Sequence, residues 1–274
     1  MKLRWENVSF TYPTGVRALD DVDLTIESGE LVAIVGENGA GKTTLVKLLN
    51  RLLRPDQGKV WVGDWNAAEH STAELAARVG FLFQNPDEQL FERTVRREVA
   101  FGPRNLRMAE KKIRGQANAA LKAVGLDAQA ERHPYDLSVS DRKMLTLAAC
   151  LAMNNPVLVL DEPSIGQDAA GRARIGRILK DLHIMGRTLL LISHDLDFCA
   201  EYAHRVVVMA DGHILADGPA AQVLTQNEVL ERSAIIPPQL VRLAQGLRLP
   251  STPLNVRDFV RVYSTWRRKK TRKH

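Results

Sequence analysis

The octapeptide GENGAGKT, Gly36–Thr43, constrains this chain more than any other stretch. It fits G-x-x-x-x-G-K-[ST]. A continuous apolar run, Leu31–Val35, precedes it, and a helical pattern follows, with Leu45, Leu48, Leu49, Leu52 and Leu53 on one face. A buried strand entering a glycine-rich loop that opens a helix is the context in which this pattern binds phosphate. Backbone N–H groups of Gly36, Glu37, Asn38, Gly39, Ala40 and Gly41 would cradle the phosphates, aided by the positive end of the helix. Lys42 would reach the β- and γ-phosphates, Thr43 would ligate Mg²⁺, and Thr44 closes the binding stretch. By itself the motif implies only a chain that binds a nucleoside triphosphate.

The rest of the pattern implies a sheet to carry that loop. LRWENVSFTY and VDLTIESGE alternate as antiparallel strands do. KVWVGDW reads as another strand, and VGFLFQ, VLVLDEP and TLLLISHD read as buried ones. Ile175, Ile178, Leu179 and Leu182 mark an amphipathic helix between the last two. Buried strands alternating with helices predict a parallel sheet. Residues from about Asn85 to Asn154 read as mostly helical, with FGPRNL as a break. RVVVMADGHILADG predicts a hairpin turning at Asp211-Gly212. Pro237-Pro238 marks the start of a small, separate C-terminal segment.

VLVLDEP places Asp161 and Glu162 at the end of a buried strand. Asp161 would hold Mg²⁺, directly or through water, and Glu162 could orient and deprotonate an attacking water. The bland alternative is a pair of capping carboxylates.

Composition narrows the setting. Cys150 and Cys199 both lie in apolar surroundings, which suggests a reduced compartment and no disulfide framework. No apolar run approaches a membrane span, and MKLRWENVSF lacks a signal-peptide core. A cytoplasmic chain that reaches a membrane only through a partner is expected. The net charge of +6 comes from Arg267, Arg268, Lys269, Lys270, Arg272 and Lys273, without which basic and acidic residues balance. Such a run is a solvated tail or a contact for anionic lipid or nucleic acid.

Taken in order, these motifs resemble the ATP-binding cassette family over most of residues 3 to 219. Gln84 in FLFQNPDEQLF is similar to the family's Q-loop, which implies a γ-phosphate, metal and membrane-subunit contact. LDEPSIGQD resembles the Walker B motif and D-loop, the latter ending at Asp168. His194 in LISHD matches the switch histidine of the γ-phosphate. Tyr12 in VSFTYPTG matches the aromatic that stacks on adenine, with Phe10 or Pro13 offered by a shift in register. The resemblance implies a P-loop NTPase fold of α/β class with a RecA-like parallel core, an N-terminal antiparallel β subdomain, an inserted helical subdomain near residues 87–152, and a C-terminal helical extension over 237–274. ATP and Mg²⁺ are the implied cofactors.

FQNPDEQLF, TVRREVAFGPRNL and IIPPQLVRLAQGLRLPSTPLNVRDFV are similar to ATPases of energy-coupling-factor transporters and their cobalt/nickel relatives. That likeness implies a peripheral subunit on the cytoplasmic face of the membrane. Its partners would be a second ATPase, a transmembrane coupling subunit and a membrane subunit that captures a vitamin or metal ion. No nucleic-acid partner is expected, and the basic tail is the one feature that favours the alternative of a non-transport ATPase acting on nucleic acid. Relatives acting on DNA carry a long coiled coil before the signature, and the gap from Thr44 to Leu137 is too short for one.

The stretch LSVSDRK, Leu137–Lys143, stands where the family signature LSGGQ belongs. Ser138 is kept, Val139 and Ser140 replace both glycines, and Asp141 replaces Gln. Val139 would be strained if its position needs φ > 0. Ser138-x-x-Asp141 is also a capping-box pattern. The expectation is a helix start retained and phosphate sensing on a partner's ATP weakened.

Overall fold

The computed structural model describes residues 1–271. Its elements are β1 (Leu3–Thr11), β2 (Arg17–Ile26), β3 (Leu31–Val35), α1 (Lys42–Lys47), β4 (Gln57–Val62), β5 (Trp65–Asn66), α2 (Thr72–Ala76), β6 (Val79–Leu82), α3 (Val95–Asn105), α4 (Glu110–Val124), α5 (Val139–Met153), β7 (Val157–Asp161), α6 (Ala169–Ile184), β8 (Thr188–Ile192), α7 (Leu196–Tyr202), β9 (Arg205–Ala210), β10 (His213–Pro219), α8 (Ala220–Val223), α9 (Asn227–Arg232), α10 (Gln239–Gly246) and α11 (Val256–Thr271). They form two sheets. One is antiparallel in the order β2-β1-β4-β5, and the other has the order β10-β9-β3-β8-β7-β6. In the second, all neighbours from β9 to β6 are parallel and only β10 is antiparallel.

The central strands show why the apolar runs are continuous. Leu31, Ala33 and Val35 pack with the helices on one face, while Val32 and Ile34 pack against the antiparallel sheet on the other. With helices or sheet on both faces, no residue of β3 meets water, so alternation disappears from its sequence. Trp5 of β1 is buried on the antiparallel-sheet side of the core, and its indole N–H donates to the Leu45 carbonyl at 3.0 Å. That bond ties the antiparallel sheet to the helix behind the P-loop. The β9–β10 hairpin turns at Asp211 and Gly212, with φ of 49° and 77°, the left-handed pair that a tight hairpin turn needs.

Three expectations change. The helix after Gly41 ends at Lys47 and tightens into i→i+3 turns, with Leu49 N–H bonding Val46 O and Arg51 N–H bonding Leu48 O. Leu52 therefore leaves the apolar face and is 41% exposed. The break at FGPRNL falls at its end, because α3 runs through Pro103 to Asn105 and α4 begins at Glu110. Burial of Val95, Val99 and Ala100 outweighs the lost hydrogen bond. The C-terminal segment is not detached. Val241 and Ala244 are buried, and the Gln239 N–H donates to Asp197 Oδ1 of α7 at 2.8 Å. Of the basic tail, 267–270 lie on α11, whereas Arg272 and Lys273 fall outside the described residues. Among the described residues no helix is long and apolar enough to cross a membrane.

Gly176 of α6 sits directly over the Tyr202 ring of α7, where any Cβ would overlap the ring. Gly176→Ala should lower stability by about 1–3 kcal/mol through overpacking, and adding Tyr202→Leu should recover part of it. Chemical denaturation of the three proteins checks this, and an undisturbed midpoint for Gly176→Ala would contradict the packing.

Candidate active site

Strand register builds the site. Ile34 of β3 pairs with Ile192 of β8, and Ile192 pairs with Asp161 of β7. Three parallel strands thus end at one level, and their next residues emerge side by side: the P-loop after β3, Glu162 after β7, and Ser193-His194 after β8. Within the P-loop, Gly41 has φ 98° and lies against the Ala18 carbonyl, so no side chain fits there. Gly39, at φ 87°, has no atom within 4 Å of where a Cβ would stand, which leaves an open cradle. Lys42 is buried, and its Nζ donates to the carbonyls of Gly36 at 2.8 Å and Glu37 at 2.7 Å. Burial lowers its pKa, against the opposing pull of Glu162, Asp161 and Glu37.

The acids meet this loop directly. Thr43 Oγ1 donates to Asp161 Oδ2 at 2.8 Å. Burial raises the Asp161 pKa, and the Thr43 bond lowers it. Glu162 adopts φ 50°, a left-handed conformation that costs a non-glycine residue about 1–3 kcal/mol. Both its oxygens are engaged. Oε1 accepts from the His194 N–H at 3.0 Å and lies 2.8 Å from His194 Nδ1, while Oε2 accepts from Ser193 Oγ at 3.1 Å. Ser193 Oγ in turn accepts from the Asp195 N–H at 3.1 Å. Ser193 is fully buried and was not singled out from sequence. Its only local signal is a small hydroxyl residue at the strand end beside His194.

A family model described as "ABC transporter" matches residues 19–165. The chain belongs to the ATP-binding cassette transporter family. It is similar to the energy-coupling factor transporter ATP-binding protein EcfA2 of Streptococcus agalactiae, at 37% identity over 95% of this chain and 98% of that protein. EcfA2 of Clostridium tetani is 36% identical, over 90% and 89%. ABC transporter ATP-binding proteins of Methanosarcina mazei and Methanosarcina acetivorans are 40% and 42% identical, and the chain spans only 46% and 40% of their length. Among solved structures, cbiO1 from Clostridium perfringens, part of an ABC transporter complex, is 30% identical with a TM-score of 0.74 over 90% of this chain and 98% of that one. The cassette MJ0796, a dimer in a post-hydrolysis state with ADP and Pi, is 26% identical with a TM-score of 0.74, over 80% and 98%.

Other ABC motif residues fall into two groups. Tyr12 joins the P-loop group: its hydroxyl lies 2.9 Å from Thr44 Oγ1, and its ring stands edge-on to Phe10. Gln84 has an exposed side chain, but its backbone carbonyl accepts from Lys143 Nζ at 2.5 Å. Burial lowers the Lys143 pKa to about 8. Ser138 and Asp168 form a second group, with no hydrogen bond to the P-loop among the described residues. Ser138 Oγ caps α5 by accepting from the Asp141 N–H at 3.1 Å. The reciprocal bond, from the Ser138 N–H to the Asp141 carboxylate, is not made, so only half of the expected capping box exists. Val139 is the first helical residue, with negative φ, and is 61% exposed. The strain that a left-handed position would bring is absent. Ser140 Oγ donates to Gln167 Oε1, and Gln167 Nε2 donates to the Ser140 carbonyl, both at 3.0 Å. Asp168 caps α6 by accepting from the Gly171 N–H at 2.7 Å. A cleft of about 390 Å³ between Gly36, Glu37 and His194 on one side and Ile235–Gln239 on the other brings the C-terminal segment to the mouth of the site.

Ser193→Ala leaves Glu162 Oε2 without its donor and should cost about 1–3 kcal/mol of stability. Ser193→Thr should keep most of that stability. Denaturant titration of both variants checks the bond, and equal stability of Ser193→Ala and the parent would show that Glu162 does not depend on it.

Proposed function

We propose that this chain hydrolyses ATP to power a membrane importer of the energy-coupling-factor type. It would take up a vitamin or transition-metal ion and lie on the cytoplasmic face of the membrane. The names of the EcfA2 relatives and of the cbiO1 complex support this reading. The observation that carries the membrane half is a groove. About 370 Å³ of largely apolar space lies between the sheet and the helical layer, lined by Leu52, Phe81, Phe91, Phe101 and Met153. Phe91 is 60% exposed there and stands edge-on to Phe101. Phe83 and Gln89, at the two ends of the Gln84 loop, line this groove, and Arg142 of α5 holds Asp87 at 2.9 Å. An exposed aromatic pair in a concave apolar site suits a helix of a transmembrane coupling subunit, with a separate membrane subunit capturing the solute.

The strand ends support the reading of hydrolysis. P-loop N–H groups and Lys42 would bind the phosphates, and Tyr12 would stack on adenine. The Thr43 hydroxyl and Asp161 carboxylate converge, and the Gln84 backbone is tied to the same strand end. This hydroxyl, carboxylate and amide suit Mg²⁺, which would neutralise phosphate charge. Glu162, kept in place by Ser193 and His194, would orient the attacking water and take its proton. His194, exposed on the open side of Glu162, would contact the γ-phosphate.

In a head-to-tail pair of cassettes, Ser138 and Asp168 would face the partner's ATP, which accounts for their separation from the P-loop group. Because Val139, Ser140 and Asp141 replace the signature residues GGQ, the favoured pair is a heterodimer with a cassette that carries LSGGQ. The ATP on this chain's P-loop would then have a complete set of contacts, and the partner's ATP would not.

Glu162→Gln in the assembled complex should keep ATP binding and slow turnover about 10²–10⁴-fold, while Lys42→Ala should weaken binding itself. Inactivating the partner's corresponding glutamate should matter less. Phe91→Ser should reduce co-purification with the membrane subunit without altering ATP binding. Unimpaired phosphate release by Glu162→Gln would remove Glu162 from its role, and full co-purification of Phe91→Ser would remove the groove from the contact.

A further inference from the structure

We propose that Lys143 is a positioning residue for the nucleotide site, pinning the Phe83–Gln84 backbone to the end of β7 so that Gln84 and Asp161 keep a fixed spacing. The proposal rests on the reading of Gln84 and Asp161 as metal ligands.

Lys143 lies one turn into α5 and is 4% exposed. Lysine is almost never this buried without a partner. Its partners here are backbone oxygens: Phe83 O at 2.9 Å, Gln84 O at 2.5 Å and Asp161 O at 3.3 Å. An ammonium group has three hydrogens and no acceptor, so the three carbonyls use its whole capacity.

The sheet explains why these carbonyls need such a donor. β6 is an edge strand, and its ladder to β7 ends at the pair Leu82–Leu160. Beyond Leu82 the chain leaves the sheet, and no strand hydrogen bond sets the distance between Gln84 and Asp161. Lys143 supplies that connection, donating to Gln84 on one side and Asp161 on the other. The rest of α5 assists. Arg142 pairs with Asp87 at 2.9 Å, and Cys150 Sγ donates to Phe81 O at 3.3 Å. The Gln84 side chain has no hydrogen bond among the described residues, so its backbone is what holds it.

The test uses the full chain with Lys143→Met, which keeps an unbranched apolar stem and removes every donor. Two measurements are made: amide hydrogen exchange across residues 84–90, and binding of a fluorescent ATP analogue as MgCl₂ is raised. Exchange at 84–90 should quicken in Lys143→Met while that of β3 and α4 stays as in the parent. The Mg²⁺ concentration at half-effect should rise about tenfold or more, as for loss of an outer-shell support. Analogue binding in EDTA should be unchanged. If Lys143→Met fails to fold, Lys143→Gln takes its place, since its shorter amide cannot serve all three carbonyls, and its values should fall between parent and loss. Parental exchange at 84–90, or a parental Mg²⁺ midpoint, in the folded variant would overturn the proposal. A parent chain whose analogue binding ignores Mg²⁺ would instead remove the metal-ligand reading, and the exchange data would still decide whether Lys143 holds the loop.

Discussion

The alignment of Ile34, Ile192 and Asp161 across three parallel strands is the constraint on which the rest of this molecule depends. It sets the P-loop, Glu162 and His194 at one height without any contact among their side chains having to do so. A slip of one residue in β7 would turn Asp161 to the opposite face of the sheet. The strands resist such a slip because both their faces are buried, with the helical layer on one side and the antiparallel sheet on the other.

That scaffold allows charge to be buried at its edge. Lys42, Lys143, Asp161 and Glu162 are all buried, and each lysine feels both acids. Each has hydrogen-bonding partners: loop carbonyls for the two lysines, Thr43 for Asp161, and Ser193 with His194 for Glu162. Removing one partner would strand a buried charge, which costs more than the lost bond alone. The left-handed Glu162 backbone adds strain at the same point, as residues held for chemistry often show.

Much of this was legible in the chain. The P-loop and the buried strands could be read because glycine spacing and unbroken apolar runs are local signals. His194, Tyr12 and Gln84 took their meaning from order along the chain, and the fold brings Tyr12 and the Gln84 backbone to the P-loop and β7 ends. What stayed hidden depends on long-range contacts. Nothing near Lys143 in sequence announces two carbonyls some sixty positions earlier. The Ser140–Gln167 pair spans 27 positions and gives Ser140 a partner that a comparison with glycine could not suggest. Pro103 lies inside α3, where packing outweighs its local propensity, and the break comes just after it. The C-terminal segment read as separate because Asp197, which anchors it, lies far away in the chain.

The altered signature gives the proposed pair of cassettes its asymmetry. Ser138 still starts α5, and Val139 sits there without strain, so the helix is intact while the residues that would face the proposed partner's ATP differ from GGQ. The direct test is a count of nucleotides in the assembled, ATP-loaded complex after a single round of turnover, separated rapidly from free nucleotide. The account predicts one ATP hydrolysed and one retained intact per pair of cassettes. Loss of both ATPs at the same rate would contradict it.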